Sequence, residues 1–598
     1  MRTSIATVCL SGTLTEKLHA AAEAGFDGVE IFEPDLVAAA AGPEEVAALA
    51  DRLGLSLDLY QPFRDAEGVS ADEFRRVLRR AEAKFALMGR LGIETMLVCS
   101  NVGTATIDDD ALSAEQLRRL GEAAAEHGVR IAFEALAWGR YVDDYRRAWR
   151  IVELADHDAV GVCLDSFHIL SRGHDPAAIE EIPGDKVFFL QLADAPALSM
   201  DVLSWSRHHR LFPGEGAFEL GTFLGHVLRT GYDGPLSLEV FNDVFRQTEV
   251  SRTARQARRS LTWLEDQVGS RPLPHVAEPA GFDFVEVRGE DTGEVDVLLG
   301  QLGLTFRGRH RSKDARLWTD GPARIVCNEQ HARDRAPSLA AVGFQVEEPA
   351  VSASRARALQ APTVYRRTLA SEQELPAFRA PDGTEVFLGP VSGEDAPWVP
   401  EFEGGHEPGT GLLTGIDHVN LAEPWQCFDE AVLFYSSVLG LRVDVSQEVP
   451  SPHGLVRSQV VRSASGACRL ALNVAPLVWE TSAGFPQHVA FSTDDVVAVA
   501  RGAVERGLVP LAIPQNYYDD LVARFDLPAD VVGEMAELGL LHDRDASGSF
   551  THFYTATVGE VFFEVVQRVD GYDGYGAPNA GVRLAAQDAG VRGRPVSP

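Results

Sequence analysis

The sequence predicts an α/β TIM barrel followed by an α+β half made of two related repeats. Three observations predict this architecture. Eight strand-like runs alternate with helical patterns over residues 1–268, a stretch rich in Pro and Gly follows, and two later stretches share one order of elements. At 598 residues the chain is long enough for two to four domains.

The eight strand-like runs are rich in β-branched and aromatic residues, and a helical pattern follows each of them. One such pattern, SAEQLRRLGEAAAEHG (113–128), opens with Ser and closes with Gly, as capped helices do. The count and the length are typical of a (β/α)₈ barrel. A doubly wound open sheet is the alternative, but no glycine-rich phosphate turn follows the first run. The runs are IATVCL (5–10), GVEIF (28–32), SLDLY (56–60), TMLVCS (95–100), RIAFEA (130–135), GVCLDSF (161–167), VFFLQLAD (187–194) and LSLEVF (236–241).

The second half reads as a duplication. Both stretches run strand, helix and several strands, and both helices end in a Gly-Leu motif before the next strand. The predicted boundaries are a barrel at 1–268, a linker at 269–281, a first repeat at 282–397, a second linker at 398–413, a second repeat at 414–575 and a loosely held tail at 576–598.

The composition is that of a soluble globular protein, with 45% apolar and 24% charged residues. A net charge of −34 argues against nucleic acid and anionic membranes as partners, so an anionic substrate needs a local cluster of Arg or Lys. The N-terminus carries no signal pattern, and no segment approaches the ~20 apolar residues of a membrane span. The six scattered Cys form no CxxC motif and are interpreted as core residues in a reducing compartment. We therefore expect a cytoplasmic protein with a small-molecule substrate, and the sequence leaves homo-oligomerisation open.

Four polar residues interrupt consecutive apolar runs of the predicted barrel. Glu134, Asp165 and Glu239 end runs five, six and eight, and Gln191 lies in run seven. In a barrel of this kind, the carboxyl ends of the strands converge on the active site. Three carboxylates in one small space repel one another, and Mg²⁺, Mn²⁺ or Co²⁺ with oxygen ligands relieves that repulsion. The alternative is that each residue is satisfied separately by Arg or backbone groups.

The motifs FEAL, CLDSFH, FLQLAD, RLFPGEG and LSLEVF resemble the xylose-isomerase-like barrels of sugar isomerases and epimerases. The whole chain more closely resembles the bacterial 3-dehydroshikimate dehydratases that carry a 4-hydroxyphenylpyruvate dioxygenase-like half with vicinal-oxygen-chelate βαβββ repeats. The third ligand position is commonly His in the epimerases and is Gln191 here, which fits the dehydratases better. The resemblance implies metal-dependent dehydration of 3-dehydroshikimate to protocatechuate (3,4-dihydroxybenzoate) in quinate and shikimate catabolism. It also implies a metal bound by Glu134, Asp165, Gln191 and Glu239.

Candidate residues for proton transfer and substrate binding follow from their types and positions. His168, three residues beyond Asp165, is the first candidate acid or base, with Glu134 or Glu239 next. Arg64, after the third run, is expected to pair with the substrate carboxylate. The resemblance places a substrate-binding Arg at position 210, and Ser206 and His208 beside it are weaker candidates. Glu30, inside the second run, is interpreted as a buried structural carboxylate.

The second repeat carries a potential metal triad. His418, His488 and Glu564 lie in GIDHV, FPQHVAFST and GEVFFEVVQR, and two His with one carboxylate form the facial triad that holds Fe²⁺ or another divalent metal. The first repeat shows no such triad. Ser458, Asn473 and Gln487 match the positions that the dioxygenases use for their keto acid, but His552 stands where those enzymes typically have Gln. The sequence therefore predicts metal binding with weak or absent turnover of 4-hydroxyphenylpyruvate.

Other functions remain open from the sequence alone. One is a sugar isomerase or epimerase barrel fused to an active oxygenase. Another is a C-terminal half that only stabilises the barrel or holds protomers together. A barrel without catalytic activity that serves as a scaffold is disfavoured by its complete set of metal-ligand candidates.

Overall fold

A computed structural model describes residues 1–392, 395–406, 411–474 and 485–592. The chain divides into two compact units, Met1–Leu273 and Pro274–Pro598. Within the described ranges no helix combines the length and the apolar composition needed to cross a membrane. All six cysteines lie in these ranges; they are buried, and no disulfide joins them.

The first unit is a closed barrel of eight strands, and each strand pairs in parallel with the next. The predicted fold class and all eight strand-like runs are confirmed. The strands are β1 (Thr3–Ala6), β2 (Gly28–Phe32), β3 (Ser56–Phe63), β4 (Thr95–Cys99), β5 (Arg130–Glu134), β6 (Val160–Asp165), β7 (Val187–Leu192) and β8 (Leu236–Leu238). The helices are α1 (Leu14–Ala24), α2 (Glu33–Val37), α3 (Pro43–Leu53), α4 (Ala71–Leu91), α5 (Asp110–Glu126), α6 (Tyr145–Ala155), α7 (Ser166–Leu170), α8 (Val202–His208), α9 (Leu220–Arg229) and α10 (Val250–Gln267).

The start of α5 differs from the prediction. The helix begins three residues before Ser113, because the carboxylate of Asp109 accepts hydrogen bonds from the N–H groups of Ala111 and Leu112 and so caps its first turn. Ser113 is buried inside the helix. The predicted C-terminal signal holds, since Gly128 adopts a positive φ of 68° directly after the last turn.

Alternate residues of the barrel strands face opposite sides. Leu97, Ala132, Cys163 and Phe189 belong to one small apolar cluster, whereas their strand neighbours, such as Ile131 and Phe133, belong to the large core that includes the helices. The first set therefore fills the barrel interior. Because side chains repeat with a period of two, the residues two positions further on also face the interior at the carboxyl ends of their strands. These residues include Glu134, Asp165 and Gln191.

The second unit contains two eight-stranded mixed sheets. Seven strands of one sheet have the same order as seven strands of the other when the first sheet is read in the reverse direction. The first runs β14-β15-β13-β9-β12-β11-β10-β16, and the second runs β18-β19-β20-β17-β21-β24-β23-β22. In each sheet the first strand of the repeat (β9 or β17) lies between an antiparallel neighbour and a parallel one. The first sheet consists of β9 (Gly281–Arg288), β10 (Thr305–His310), β11 (Ala315–Asp320), β12 (Ala323–Asn328), β13 (Ser338–Val346), β14 (Ala377–Arg379), β15 (Glu385–Pro390) and β16 (Phe402–Gly404). The second consists of β17 (Leu413–Glu423), β18 (Arg442–Ser451), β19 (Gly454–Arg462), β20 (Arg469–Val474), β21 (Gln487–Thr493), β22 (Leu541–Arg544), β23 (Gly548–Tyr554) and β24 (Val561–Asp570).

In the described part of this unit seven α-helices accompany the sheets. Two sequence interpretations need correction. The predicted linker at 398–413 includes strand β16, and Trp398 and Val399 are buried in the core of the first repeat because their apolar side chains pack against its sheet. The predicted loose tail forms a helix, whose Leu584 is buried in an apolar cluster with Val449 and Val456. Positions 407–410 and 593–598 lie outside the described residues. The helices are α11 (Gly293–Leu302), α12 (Pro349–Ala358), α13 (Phe428–Leu439), α14 (Val496–Glu505), α15 (Gln515–Phe525), α16 (Ala529–Leu538) and α17 (Ala577–Arg592).

Candidate active site

Three buried carboxylates converge at the carboxyl end of the barrel. Glu134 is the last residue of β5, Asp165 is the last residue of β6, and Glu239 follows β8 directly. Each is at most 5% exposed. Glu134 and Asp165 each place one carboxylate oxygen within 4.8 Å of the other and of a His168 nitrogen, so these three residues alone form a potential metal-binding group.

Arg210 lies between two of these carboxylates and is itself 1% exposed. Its Nη1 donates to Asp165 Oδ2 at 2.7 Å and to Glu239 Oε2 at 3.2 Å. Its Nη2 and Nε donate to the hydroxyl of Ser206 at 2.9 and 3.2 Å. The sequence-predicted residues Arg210 and Ser206 are thus brought into the site, but here the guanidinium pairs with protein carboxylates.

One buried guanidinium leaves the cluster with excess negative charge. Burial and the charges of Asp165 and Glu239 raise the pKa of Glu134 well above its ordinary value. Burial also raises the pKa of Glu239 to about 7, although Arg210 opposes this shift. Among the described residues, Glu134 Oε1 has no hydrogen-bond partner. A divalent cation with oxygen ligands would supply the missing charge, so the residues present fit a bound metal.

Gln191 is held in place by a carboxylate that the sequence analysis classed as structural. Glu30 is fully buried on β2 and accepts hydrogen bonds from Gln191 Nε2 at 2.6 Å, from Gln61 Nε2 at 2.8 Å and from the hydroxyl of Ser237. Because the Gln191 amide nitrogen donates to Glu30, its carbonyl oxygen is the atom left to serve as a ligand. Glu30 is therefore a positioning residue for Gln191.

His168 is a neutral imidazole surrounded by donors. Its Nδ1 accepts from the backbone N–H of Ala137 at 3.1 Å, and its Nε2 lies 3.3 Å from Arg210 Nη2 and 3.8 Å from Glu134 Oε1. Burial lowers the pKa of His168 to about 3, although the charge of Asp165 opposes this shift, and Arg210 and Arg64 lower it further. A neutral imidazole has one acceptor nitrogen, so the ring can accept a hydrogen bond from either the Ala137 N–H or Arg210 Nη2, but not from both. A pKa this low makes the ring a weak base in the metal-free protein, and an anionic substrate that pairs with Arg64 would offset part of the positive charge that lowers it.

The cleft above the carboxylates is lined by cations and aromatic rings. Arg64, directly after β3, and Arg207, on α8, both line it together with Glu134, His168 and Glu239. The guanidinium carbon of Arg207 lies 5.1 Å from the Phe241 ring centroid. Sequence analysis named Arg64 but missed Arg207, although Arg207 directly follows the candidate Ser206 and lies three residues before Arg210. His208 is the last residue of α8, faces Asp243 at 3.0 Å and is half exposed.

The second repeat brings its three predicted ligands to one point. His418 Nε2, His488 Nε2 and Glu564 Oε2 lie 3.1 to 3.2 Å from one another, and all three side chains are buried. Ligands at about 2.1 Å on adjacent octahedral corners are about 3 Å apart, so this spacing suits one metal ion. Asp417 holds His418 through Nδ1 at 2.8 Å.

Electrostatics in this triad also favour a cation. Burial lowers the pKa of His488 to about 4. For His418 burial opposes protonation, but hydrogen bonds to Asp417 and Glu564 raise its pKa to about 9. At neutral pH these pKa values make His418 a cation and His488 neutral, and a metal ion at the same point would take the place of the His418 proton beside Glu564.

A cavity of about 270 Å³ opens onto the triad. Ser458 and Asn473 line it, as expected for ligand-contacting residues, whereas Gln487 accepts from the backbone N–H of Ala422 at 3.3 Å and is not part of the lining. His552, which stands where the dioxygenases typically have Gln, does not line the cavity. Its ring is fully buried behind the triad, where Nδ1 lies 2.6 Å from Glu564 Oε1, so it supports a ligand rather than narrowing the cavity.

The first repeat has apolar residues where the second has its triad. Strand pairing places Phe284, Ala341 and Phe387 at the positions of His418, His488 and Glu564. Phe284 and Phe387 pack with ring centroids 5.6 Å apart. A separate group of His310, Glu372 and Glu401 lies elsewhere in this repeat, but Lys313 already pairs with Glu372 at 2.9 Å. The absence of an equivalent triad agrees with the sequence analysis.

Together, the two halves define a class of protein, a xylose isomerase-like barrel joined to dioxygenase-type repeats. Comparison with protein-family models supports each part. Residues 18–267 match the xylose isomerase-like TIM barrel, residues 276–393 match the N-terminal part of hydroxyphenylpyruvate dioxygenase, and residues 415–538 match the glyoxalase/bleomycin resistance protein/dioxygenase superfamily.

Relatives of full length identify the family within this class. The chain is 42% identical to the 3-dehydroshikimate dehydratase of Pseudomonas putida, covering 98% of both chains, and 44% identical to that of Pseudomonas aeruginosa, covering 99% of both. A solved xylose isomerase-like TIM barrel/4-hydroxyphenylpyruvate dioxygenase fusion protein aligns with a TM-score of 0.90 at 41% identity, covering 98% of this chain and 99% of its own. The chain belongs to the 3-dehydroshikimate dehydratase family, and the predicted resemblance is confirmed.

Proposed function

We propose that the barrel dehydrates 3-dehydroshikimate to 3,4-dihydroxybenzoate, with a divalent metal held by Glu134, Asp165, Gln191 and Glu239. The observation that supports this most is the convergence of three buried carboxylates on one buried guanidinium, which leaves charge and an unpaired Glu134 oxygen for a cation. Mg²⁺, Mn²⁺ and Co²⁺ are the candidates, because each accepts carboxylate and amide oxygens. When bound, such an ion stabilises negative charge that develops on a substrate oxygen.

The residues around the cleft suit the remaining steps. His168, a neutral acceptor, takes the proton from C4, which is acidic because it is α to the C3 ketone. The hydroxyl on C5 departs as water once it is protonated, and loss of a ring proton with enolisation of the ketone makes the ring aromatic. No electrons are gained or lost overall, so the reaction needs no redox partner. Arg64 and Arg207 are placed to pair with the ring carboxylate.

The competing function is a sugar isomerase or epimerase, which would use a similar metal site. Full-length relatives above 40% identity are named dehydratases, and Gln191 stands where His is common in the epimerases. The decisive experiment supplies the full chain with 3-dehydroshikimate and follows catechol absorbance. We expect product with Mg²⁺, Mn²⁺ or Co²⁺ present and none after exhaustive chelation. Metal-independent turnover, or turnover of a ketose with no catechol product, would contradict the proposal.

We further propose that His418, His488 and Glu564 bind a divalent metal independently of the barrel, with Fe²⁺ as the first candidate. Their mutual distances and the 2.8 Å hydrogen bond by which Asp417 orients His418 support this. Turnover of 4-hydroxyphenylpyruvate is expected to be weak or absent.

Metal analysis of variants tests this second centre. His488→Ala should lose one equivalent of metal after anaerobic Fe²⁺ loading, because a facial triad without one imidazole holds its ion poorly. His275→Ala, which removes an exposed His paired with Glu348, is the matched control and should retain it. Equal metal content in both variants would count against the triad. Rapid oxygen uptake with 4-hydroxyphenylpyruvate and formation of homogentisate would contradict the expected weak or absent turnover of this compound.

A further inference from the structure

A buried arginine without an acidic partner lines the C-terminal cavity. Arg583 lies on α17 and is 5% exposed. Its Nη1 donates to the amide oxygen of Gln587 at 2.8 Å, while its Nε has no hydrogen-bond partner. No carboxylate forms an ion pair with it in the part of the chain that the structure describes. A buried cation of this kind is costly unless an anion meets it, so the cavity has the electrostatics of a site for an anionic ligand.

The Arg583 guanidinium and the metal triad have an aromatic neighbour in common, Phe562. Its central carbon is 5.3 Å from the ring centroid of Phe562, and that ring is 4.7 Å from the ring of His488. The Tyr554 ring, 5.7 Å from the same carbon, forms a second aromatic neighbour. Arg583 therefore lies beside the triad residues but outside the reach of a first ligand shell.

The rest of the cavity suits a small ring with polar substituents. Apolar side chains form part of its wall, and Asn473 Oδ1 and Tyr575 Oη have no hydrogen-bond partner among the described residues. Two acidic residues also line it, but Asp444 pairs with Arg462 at 2.9 Å and Asp573 pairs with Arg469 at 2.9 Å. These pairs keep the two carboxylates from opposing an anionic ligand. The apolar lining residues include Val449, Val456, Val460, Ala471, Ala580 and Leu584.

The metal triad and Arg583 line different parts of the same cavity, and this arrangement favours one class of ligand. A 2-keto acid carries its carboxylate next to its keto oxygen, so both groups would lie at the triad and leave Arg583 without an anion. An aromatic ring with two adjacent hydroxyls at one end and a carboxylate at the other could contact both the triad and Arg583. We propose that this cavity binds a dihydroxybenzoate, with its vicinal hydroxyls toward His418, His488 and Glu564 and its carboxylate paired with Arg583.

This inference rests on the proposed function in one respect, which is that the product of the barrel belongs to this ligand class. The two halves of the chain would then act on successive compounds. The lining of the cavity supports binding of the dihydroxybenzoate, and Arg583 is the residue that distinguishes it from a keto acid.

Calorimetric titration of the full chain tests the inference directly. We expect 3,4-dihydroxybenzoate to bind, and Arg583→Met to weaken the C-terminal binding event at least about 30-fold, as loss of one partner of a buried charge pair does. Catechol, which lacks the carboxylate, should bind more weakly and show no dependence on Arg583. Arg501→Met, which removes an exposed Arg paired with Glu534, is the matched control and should bind as the parent does.

Further measurements distinguish anion binding by Arg583 from a role of Arg583 in stabilising the fold. Thermal unfolding and metal content verify that Arg583→Met is folded and loaded, and Arg583→Lys, which keeps the charge, should recover part of the affinity if the methionine variant is unstable. Equal affinities of the parent and Arg583→Met, or equal losses for catechol and dihydroxybenzoate, would overturn the inference. Tighter Arg583-dependent binding of 4-hydroxyphenylpyruvate would overturn the ligand class. Since the compound is added directly, binding does not depend on turnover in the barrel, and a failure of the dehydratase proposal would be seen separately.

Discussion

Replacing Glu134 or Glu239 by alanine is expected to abolish dehydration of 3-dehydroshikimate and to remove bound metal from the barrel. Each variant leaves two carboxylates, of which Asp165 is already engaged by Arg210, and that is fewer than a hard divalent ion needs. Steady-state kinetics and metal analysis after loading with Mn²⁺ measure the two effects. Glu126→Ala, at the exposed end of α5, is the control and should behave as the parent does.

A glutamine variant distinguishes a metal ligand from a carboxylate that stabilises the fold. Because burial and neighbouring charges raise the pKa of Glu134, ionising it in the metal-free protein costs stability above its ordinary pKa. The neutral, similarly shaped Glu134→Gln should therefore leave the metal-free protein at least as stable as the parent at pH 8, as thermal unfolding would show. Activity that survives in both alanine variants after exhaustive chelation would refute the metal mechanism.

His168→Ala is expected to lower kcat by about 10²-fold or more, the size of effect seen for general acid–base groups. The ring contacts the substrate cleft and two carboxylates, but it is not among the proposed ligands, so metal content should change little. Arg64→Ala and Arg207→Ala should instead act mainly on KM, because a carboxylate anchor contributes to binding before and during the reaction.

Steady-state kinetics of the three variants at saturating metal separate these roles. His174→Ala, a substitution on the loop after α7, provides a histidine control. If His168→Ala changed only KM while an arginine variant lost kcat, the base would have to be sought elsewhere, with Glu134 or Glu239 as the next candidates.

The local sequence determined which residues of the barrel face the site. Period-two alternation along each strand turns Glu134, Asp165 and Gln191 to the interior, and the order of strands brings them to one end. The triad of His418, His488 and Glu564 could be predicted for a similar reason, since each residue interrupts an apolar strand. These predictions needed only the pattern along the chain and a fold class.

The partners of these residues were decided by the tertiary structure. Glu30 holds Gln191 across 161 positions of sequence, and Arg210 meets Asp165 across 45. No local pattern encodes such pairs, because they exist only once the barrel closes and its strand ends meet. The sequence predicted a buried structural Glu30, and the resemblance implied a substrate-binding Arg210. The closed barrel adds that Glu30 supports Gln191 and that Arg210 pairs with Asp165.

In the C-terminal half, too, tertiary packing decides features that the sequence does not predict. The stretch after residue 576 has little apolar periodicity, so its sequence does not predict a helix, yet burial of Leu584 and the pairing of Asp588 with His453 anchor one. That helix carries Arg583 into the cavity, and no sequence motif marks this arginine. Its burial is a property of the assembled sheet and helix, because desolvation and loss of counter-charge arise only when distant segments pack together.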